Sequence, residues 1–560
     1  MNQLGFFHHA NSEWSYIDND LITLRFRSVK DDILLINVVE YNRFTDYQKR
    51  IKHDMKKYLS DTFFDYFTVT FKPFNEGCIY YFELNDGINK GYYGEYGYSS
   101  TEFVRMGAYE IPRIQKTDVY QAPSWVHDAI FYQIYPDRFC KANLSDDTFE
   151  PWGNKPTFWN VFGGDFQGII KQIPYLVELG INAIYMTPIS LSHSSHRYDT
   201  IDYMQVDPRL GTEDDFKQLV QTLHHNGIKI VLDAVFNHSS SDFYAFQDVL
   251  QNQENSVYKE WFLIEKFPVK VQRDKTYQTF GYEPHMPKLN SHHPDVRSYL
   301  INVGKHYIET FDIDGWRLDV ADEVDSEFWR FFRSEIKKLK PSALIIGEVW
   351  HNSDYYLRGD QFDSVQNYQF FEVCNNYFLR KNTDLVTFHH QLVHLLMMYP
   401  DPVQRALLNQ LGSHDVPRML SVANGDIEAV KQAVLFQMTY IGMPCIYYGD
   451  EIGMEGLSDP DNRRCFNWNR ESWNQDLFNF YKSVINLRNN NIALKYGSFS
   501  IIEHSKILIY ERIYQNHGVL ICINSSTSDE LIDIPFDYRT NEIKSPVAIQ
   551  SKSFQLFYKN

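Results

Sequence analysis

The strongest constraint on the fold is a repeated pattern. Between Ala129 and Glu451 the chain carries eight short apolar runs, spaced widely enough for a helix or a long loop between neighbours. They are AIFYQIYP (129–136), INAIYMTP (181–188), IKIVLDAVFNH (228–238), GWRLD (315–319), ALIIG (343–347), DSVQNY (363–368), RALLNQLGSHD (405–415) and MPCIYYGDE (443–451). Runs without a two-residue polar alternation read as strands buried on both faces, which is the mark of a parallel sheet. Between the second and third, Phe216, Leu219, Val220 and Leu223 fall at i, i+3, i+4 and i+7, the stripe of an amphipathic helix. Thr212 with Asp215 predicts a capping box at its start, and Gly227 suits its end. Eight strands alternating with helices predict an α/β fold of the (β/α)8 TIM-barrel type.

Three of these runs lead directly into an acid: Asp319, Glu348 and Asp415. In such a barrel the chemistry lies where the strands end. Three carboxylates at one mouth repel one another, and that repulsion is useful only to a reaction needing both an ionised and a protonated acid.

The flanks read differently. In residues 1–122, Ile22, Leu24 and Phe26 alternate with Thr23, Arg25 and Arg27, the period of a half-buried strand. CIYYFEL (78–84) runs into the turn signal Asn85-Asp86-Gly87. These features predict an N-terminal β-sandwich, joined by QAPSW (121–125) to a barrel over 123–495. No good helix is expected between His238 and about Pro294, so 239–293 reads as a subdomain inserted after the third strand. A helix around 475–490 closes the barrel. KILIYERIY (506–514) and VLICIN (519–524), with a turn at Asn516-His517-Gly518, predict a hairpin in a small C-terminal β-sandwich over 496–560.

A net charge of −18 disfavours nucleic acid and anionic membrane surfaces as partners. No run approaches the length of a membrane span, and the first residues lack the basic and apolar regions of a signal peptide. Six scattered cysteines without CxxC spacing read as reduced thiols of a cytoplasmic protein. The paired histidines His8-His9 and His292-His293 lack a helical i, i+4 partner and read as surface residues rather than metal ligands.

DAVFNH (233–238), GWRLDVADEV (315–324), GEVW (347–350) and GSHD (412–415) resemble, in order, the four signature regions of the α-amylase family of glycoside hydrolases. They fall at the ends of strands three, four, five and seven. MPKLN (286–290) in the insert is similar to the mark of the subgroup containing cyclomaltodextrinase, neopullulanase and maltogenic amylase, as is a starch-binding-like β-sandwich ahead of the barrel. The resemblance implies Asp319 as nucleophile, Glu348 as general acid then base, and Asp415 as a ligand of the sugar hydroxyls. It implies further that Arg317 keeps Asp319 ionised, that Glu348 is raised in pKa by its acidic neighbours, and that Asp233 braces Arg317. His238 and His414 would bind the same sugar, Tyr198 would stack on it, and Asp459 and Arg463 would hold the next one. Phe280, Glu323 and Tyr356 complete the implied substrate contacts, the last two towards the leaving-group side. An α-glucan oligosaccharide is the implied substrate, and a homodimer built through the N-terminal domain the implied assembly.

No cofactor is expected. The loop after the first strand often holds calcium in this family. Here Lys141 and Asn143 stand at two liganding positions, leaving Asp146, Asp147, Gly163 and Asp165, and a cationic Lys opposes calcium. Three outcomes stay open: a retaining hydrolase of cyclodextrins, maltooligosaccharides and pullulan; a transglycosylase on the same scaffold; and a glucan-binding protein without chemistry.

Overall fold

The computed structural model describes residues 1–559 except 43–48, 116–118, 144–147 and 540–544. All eight expected barrel strands form: β1 Phe131–Ile134, β2 Ala183–Met186, β3 Lys229–Ala234, β4 Gly315–Leu318, β5 Leu344–Gly347, β6 Ser364–Val365, β7 Leu408–Gln410 and β8 Met443–Tyr447. They are parallel and run in the order β6-β5-β4-β3-β2-β1-β8-β7. A parallel bridge between Gln366 and Leu408 closes the ring between β6 and β7. Val126, Phe131, Tyr185, Val231, Leu344, Ile346, Leu408 and Met443 fill the lower part of the barrel, so Val126, directly after the linker, plugs its base.

The helix over Glu213–His225 buries Phe216, Leu219, Val220 and Leu223 and carries the reciprocal Thr212–Asp215 capping box. Gln475–Asn490 is helical as expected. Inside the insert, however, Tyr244–Asn252 is a helix that the sequence reading missed. Its buried face is only Ala245, Phe246 and Val249, and its N-cap, Phe243, makes no side-chain hydrogen bond. Neither helical start signal nor a full stripe was present to read.

The N-terminal strands form one four-stranded and one six-stranded sheet. Ile22, Leu24, Phe26, Val38, Phe67 and Phe82 pack between them. The opposite face of the Leu21–Val29 strand is not solvated as its alternation suggested. Arg25 is 1% exposed; its guanidinium donates to the Tyr399 carbonyl at 3.0 Å and to Asp401 at 2.5 Å, tying the sandwich to the barrel. His8 is also buried, against the surface expectation. Nδ1 meets the Arg25 carbonyl at 2.7 Å, Nε2 the Tyr80 hydroxyl at 3.0 Å, and burial pushes its pKa down to about 3. His293 instead caps the Pro294–Phe311 helix.

The C-terminal region pairs a four-stranded sheet with a two-stranded one. Its hairpin turns at Gln515-Asn516, earlier than expected, with Tyr514 opposite His517 and Gln515 left-handed at φ 53°. No helix among the described residues is long and apolar enough to cross a membrane.

Candidate active site

At the C-terminal ends of β3, β4 and β5 a single guanidinium organises the acids. Arg317 is fully buried and adjacent in register to Asp233, since it pairs with it across β3 and β4. Its Nη1 lies 3.0 Å from both Asp233 oxygens and 2.8 Å from Asp319 Oδ1, and its Nη2 lies 2.8 Å from Glu348 Oε2. Nε donates to Gln366 Oε1 at 2.9 Å, and the Gln366 amide donates onward to Gln410 at 2.9 Å. Three carboxylates from three strands are thus held on one fork, as a planar guanidinium allows and an ammonium does not.

Glu348 is gripped from other directions too. The Val320 amide donates to Oε2 at 2.9 Å and the Trp350 indole to Oε1 at 3.1 Å. Val320 is left-handed (φ 45°, ψ 46°), an unfavourable conformation for a β-branched residue and a form of strain that collects at functional sites. Trp350 is in turn stacked on Tyr368, with ring centres 3.9 Å apart.

The third acid stands across the mouth. Asp415 Oδ1 lies 3.3 Å from His414 Nε2 and 3.5 Å from Arg463, which also reaches Asp459 at 3.4 Å. The Gln133 amide donates to His414 Nδ1 at 2.7 Å, so Nε2 carries the proton facing Asp415 and the Tyr198 hydroxyl. The Tyr198 ring lies parallel to His414 and its hydroxyl donates to Asp233 at 2.9 Å. His238 stacks on Phe280, and its buried Nε2 has no hydrogen-bond partner among the described residues.

Electrostatically the site is acid-rich. Burial, then the charges of Glu348 and Asp233, push the Asp319 carboxyl well above its ordinary range; Arg317 opposes that shift without cancelling it. Burial raises Asp233 to about 6 and also raises Asp415. Burial lowers His238 to about 3 and holds His414 well below its ordinary value, so both imidazoles are neutral near pH 7.

A cavity of about 920 Å³ opens over these groups. Asp319, Glu348, Asp415, Tyr198, His238, Phe280, Glu323, Asp459 and Arg463 line it, while Asp233, Arg317 and His414 lie beneath its floor. Glu323 is paired with Lys288 at 3.0 Å. Tyr356 is not on the wall: the turn Asp354–Tyr356 folds its ring onto Phe362, centres 5.3 Å apart, and Trp350 lines the cavity instead. Phe158, Trp159, His193 and Met286 on the walls, and Gln133, Tyr185, Gln366 and Gln410 beneath, were not anticipated.

The loop after β1 fits calcium poorly. Asp165 commits one oxygen to capping the Phe166–Leu179 helix and the other to the Ala142 amide. Asp137 is held by Arg138 and the amides of Phe162 and Gly163, and Lys141 is buried beside them, over the Phe149 ring. Asp146 and Asp147 lie outside the described residues.

Comparison with known proteins agrees with this geometry. Residues 133–497 match the alpha amylase catalytic domain, and residues 1–115 match the alpha amylase N-terminal ig-like domain. The chain is 42% identical over 534 residues to a cyclomaltodextrinase of Thermoanaerobacter pseudethanolicus, covering 94% of this chain and 93% of that one. It is 40% identical over 542 residues to neopullulanase 2 of Thermoactinomyces vulgaris, covering 94% and 92%. A solved cyclomaltodextrinase structure superposes with a TM-score of 0.95 at 38% identity over the whole of both chains. The chain belongs to the α-amylase family of glycoside hydrolases.

Proposed function

We propose that this enzyme hydrolyses α-1,4-glucosidic bonds in cyclodextrins, maltooligosaccharides and pullulan, with retention of anomeric configuration. The observation that carries the reading is the shared fork: Arg317 holds Asp319 and Glu348 together on one side of a cavity whose other side presents Asp415, with His414 beneath it. In the first step Asp319 attacks the anomeric carbon, the glycosidic C–O bond breaks, and protonated Glu348 delivers its proton to the departing oxygen. In the second, ionised Glu348 takes a proton from water, whose oxygen displaces Asp319. Asp415 hydrogen-bonds the sugar hydroxyls more tightly as positive charge develops on the ring, with His414 positioning it from beneath, while Tyr198 stacks on the sugar's apolar face.

The assembly proposed is a homodimer in which the N-terminal sandwich narrows a partner's cleft and so favours small or cyclic glucans. A monomer in sedimentation at micromolar concentration would refute that part. A cytoplasmic setting is supported by six free, buried cysteines and by a relative from Bacillus subtilis, 37% identical, named intracellular maltogenic amylase. We infer no calcium requirement from the poor donor set after β1.

The test is turnover on β-cyclodextrin, pullulan, soluble starch and maltotriose, with the first-formed anomer followed by NMR. The α-anomer is expected. A β-anomer product would refute the double displacement, and products longer than the substrate as the main yield would replace hydrolysis by sugar transfer.

A further inference from the structure

The loops over 151–160 and 459–469 form one wall of the active-site cavity, presenting Phe158, Trp159, Asp459 and Arg463 to it. The same two loops line a second cavity of about 540 Å³, whose lining includes Trp152, Glu455, Arg464, Asn467, Trp468 and Asn469. None of these residues belongs to the catalytic cavity.

The two tryptophans have different duties. Trp468 is packed for structure: its ring lies 4.1 Å from Phe466, 5.2 Å from Phe139 and 5.3 Å from Tyr175, and its indole N–H donates to the Phe139 carbonyl at 2.7 Å. Trp152 is half-buried and pinned at one edge, with its N–H donating to the Phe466 carbonyl at 3.0 Å. Among the described residues it makes no ring–ring contact. Beside it, a Cβ built on Gly153 would meet no atom within 4 Å outside its chain neighbours, and both residues line the cavity. An indole fixed by its N–H edge and lining a cavity is a platform for the apolar face of a pyranose.

Polar groups surround that platform. Arg464 uses Nε and Nη2 to hold Asp461 at 3.0 and 2.8 Å, leaving Nη1. Glu455 is exposed and forms no hydrogen bond or ion pair among the described residues. The Asn467 and Asn469 side chains are tied to their own loop through Ser472 and the amides of Asn469 and Glu471, which fixes their position. A carboxylate beside a guanidinium and two amides matches a neutral polyhydroxylated ring, whereas the free carboxylate repels an anion. Mostly apolar walls with a few placed polar groups are the usual make-up of a small-ligand site.

We propose that this cavity is a second α-glucan-binding site that takes a sugar segment outside the catalytic cleft. The proposal rests on the substrate class inferred above. A glucan chain held on one side of the 151–160 wall keeps its remaining length near the cleft on the other side. The benefit is an effective concentration, so it falls to long chains and not to short ones.

The test uses the full-length Asp319→Asn protein, with maltotriose and β-cyclodextrin as probes and binding stoichiometry from equilibrium dialysis. Two sites per chain are expected, falling to one when Trp152→Ala is added. In the active protein, Trp152→Ala should leave kcat and KM for maltotriose within about twofold and raise KM for soluble starch about three- to tenfold. Glu455→Ala, at an exposed position without a hydrogen bond or ion pair among the described residues, should raise the starch KM in the same direction. One site in Asp319→Asn, or two sites that survive Trp152→Ala, would overturn the proposal while leaving the catalytic reading intact. No glucan binding at all would instead remove the substrate class, and the second site with it.

Discussion

Arg317 offers the sharpest test of how the acid cluster works. Its guanidinium is within 3.0 Å of Asp233, Asp319 and Glu348, and it is fully buried. A unit charge pair near 4 Å in an effective dielectric of about 20 interacts by about 4 kcal/mol. That corresponds to about 3 pKa units on a neighbouring carboxyl. The Asp319 carboxyl is already raised with the cation in place, so Arg317→Met should raise it further, by up to about that amount. Asp319 must be ionised to attack, and the acidic limb of kcat/KM should therefore move to higher pH, with activity on the acidic side of both limbs falling by up to about a thousandfold. Arg317→Lys retains the charge but not the fork, and should shift the limb less. The stability sign follows from the same shift. A carboxyl whose folded pKa lies above its unfolded value contributes stability that is present at low pH and lost as pH rises through the folded value. Arg317→Met should thus lose stability relative to the parent as pH rises from about 4. The assays are pH–rate profiles with maltotriose and denaturant unfolding across the same pH range. A folded Arg317→Met protein whose acidic limb coincides with the parent's would refute the account.

Two further outcomes follow from buried cations and imidazoles. Arg512 is buried without an acidic partner among the described residues and donates to the carbonyls of Thr439, Gly497 and Ser498 at 2.6, 3.0 and 3.0 Å, clamping a helix end to the C-terminal sheet. Arg512→Met strands these acceptors and should cost about 2–4 kcal/mol in chemical denaturation; a loss below about 0.5 kcal/mol would count against the clamp. His8 is held neutral with a pKa near 3, against 6.5 when unfolded, so its contribution is full above pH 6.5 and is lost as pH falls towards 3. Each unit in that window removes about 1.4 kcal/mol, and His8→Gln should flatten the fall in stability between pH 6 and 4. A slope equal to the parent's would show that His8 titrates normally.

Much of the barrel was legible because its signals are local. A doubly buried parallel strand must be an unbroken apolar run, and an acid at its end must reach the mouth, so β4, β5 and β7 with Asp319, Glu348 and Asp415 could be placed in advance, while Asp233 came only from the family resemblance. The groups that hold those acids were not legible. Gln133, Gln366 and Gln410 are polar residues in or beside strands, and nothing local distinguishes a buried glutamine with a partner from a solvated one. Their partners lie 281, 49 and 44 residues away along the chain. Arg25 failed for the same reason: alternation shows that a strand has two faces, but not that a second domain covers the polar one. Tyr356 was assigned to the cleft by its position in a loop, and loop position does not determine which way a short turn faces.

The bridge at Gln366 ties the architecture of the barrel to its chemistry. β6 and β7 are the shortest strands of the ring, and the bridge from Gln366 to Leu408 is the only backbone pairing between them among the described residues. The side chain of that same residue steadies the fork that carries the nucleophile. Amide hydrogens along this seam should therefore exchange more slowly when a sugar occupies the cleft, because a ligand that fixes Arg317 also fastens the edge where the cylinder is thinnest. A scaffold usually tolerates loosening far from its reaction centre, but here the hoop and the warhead share one residue.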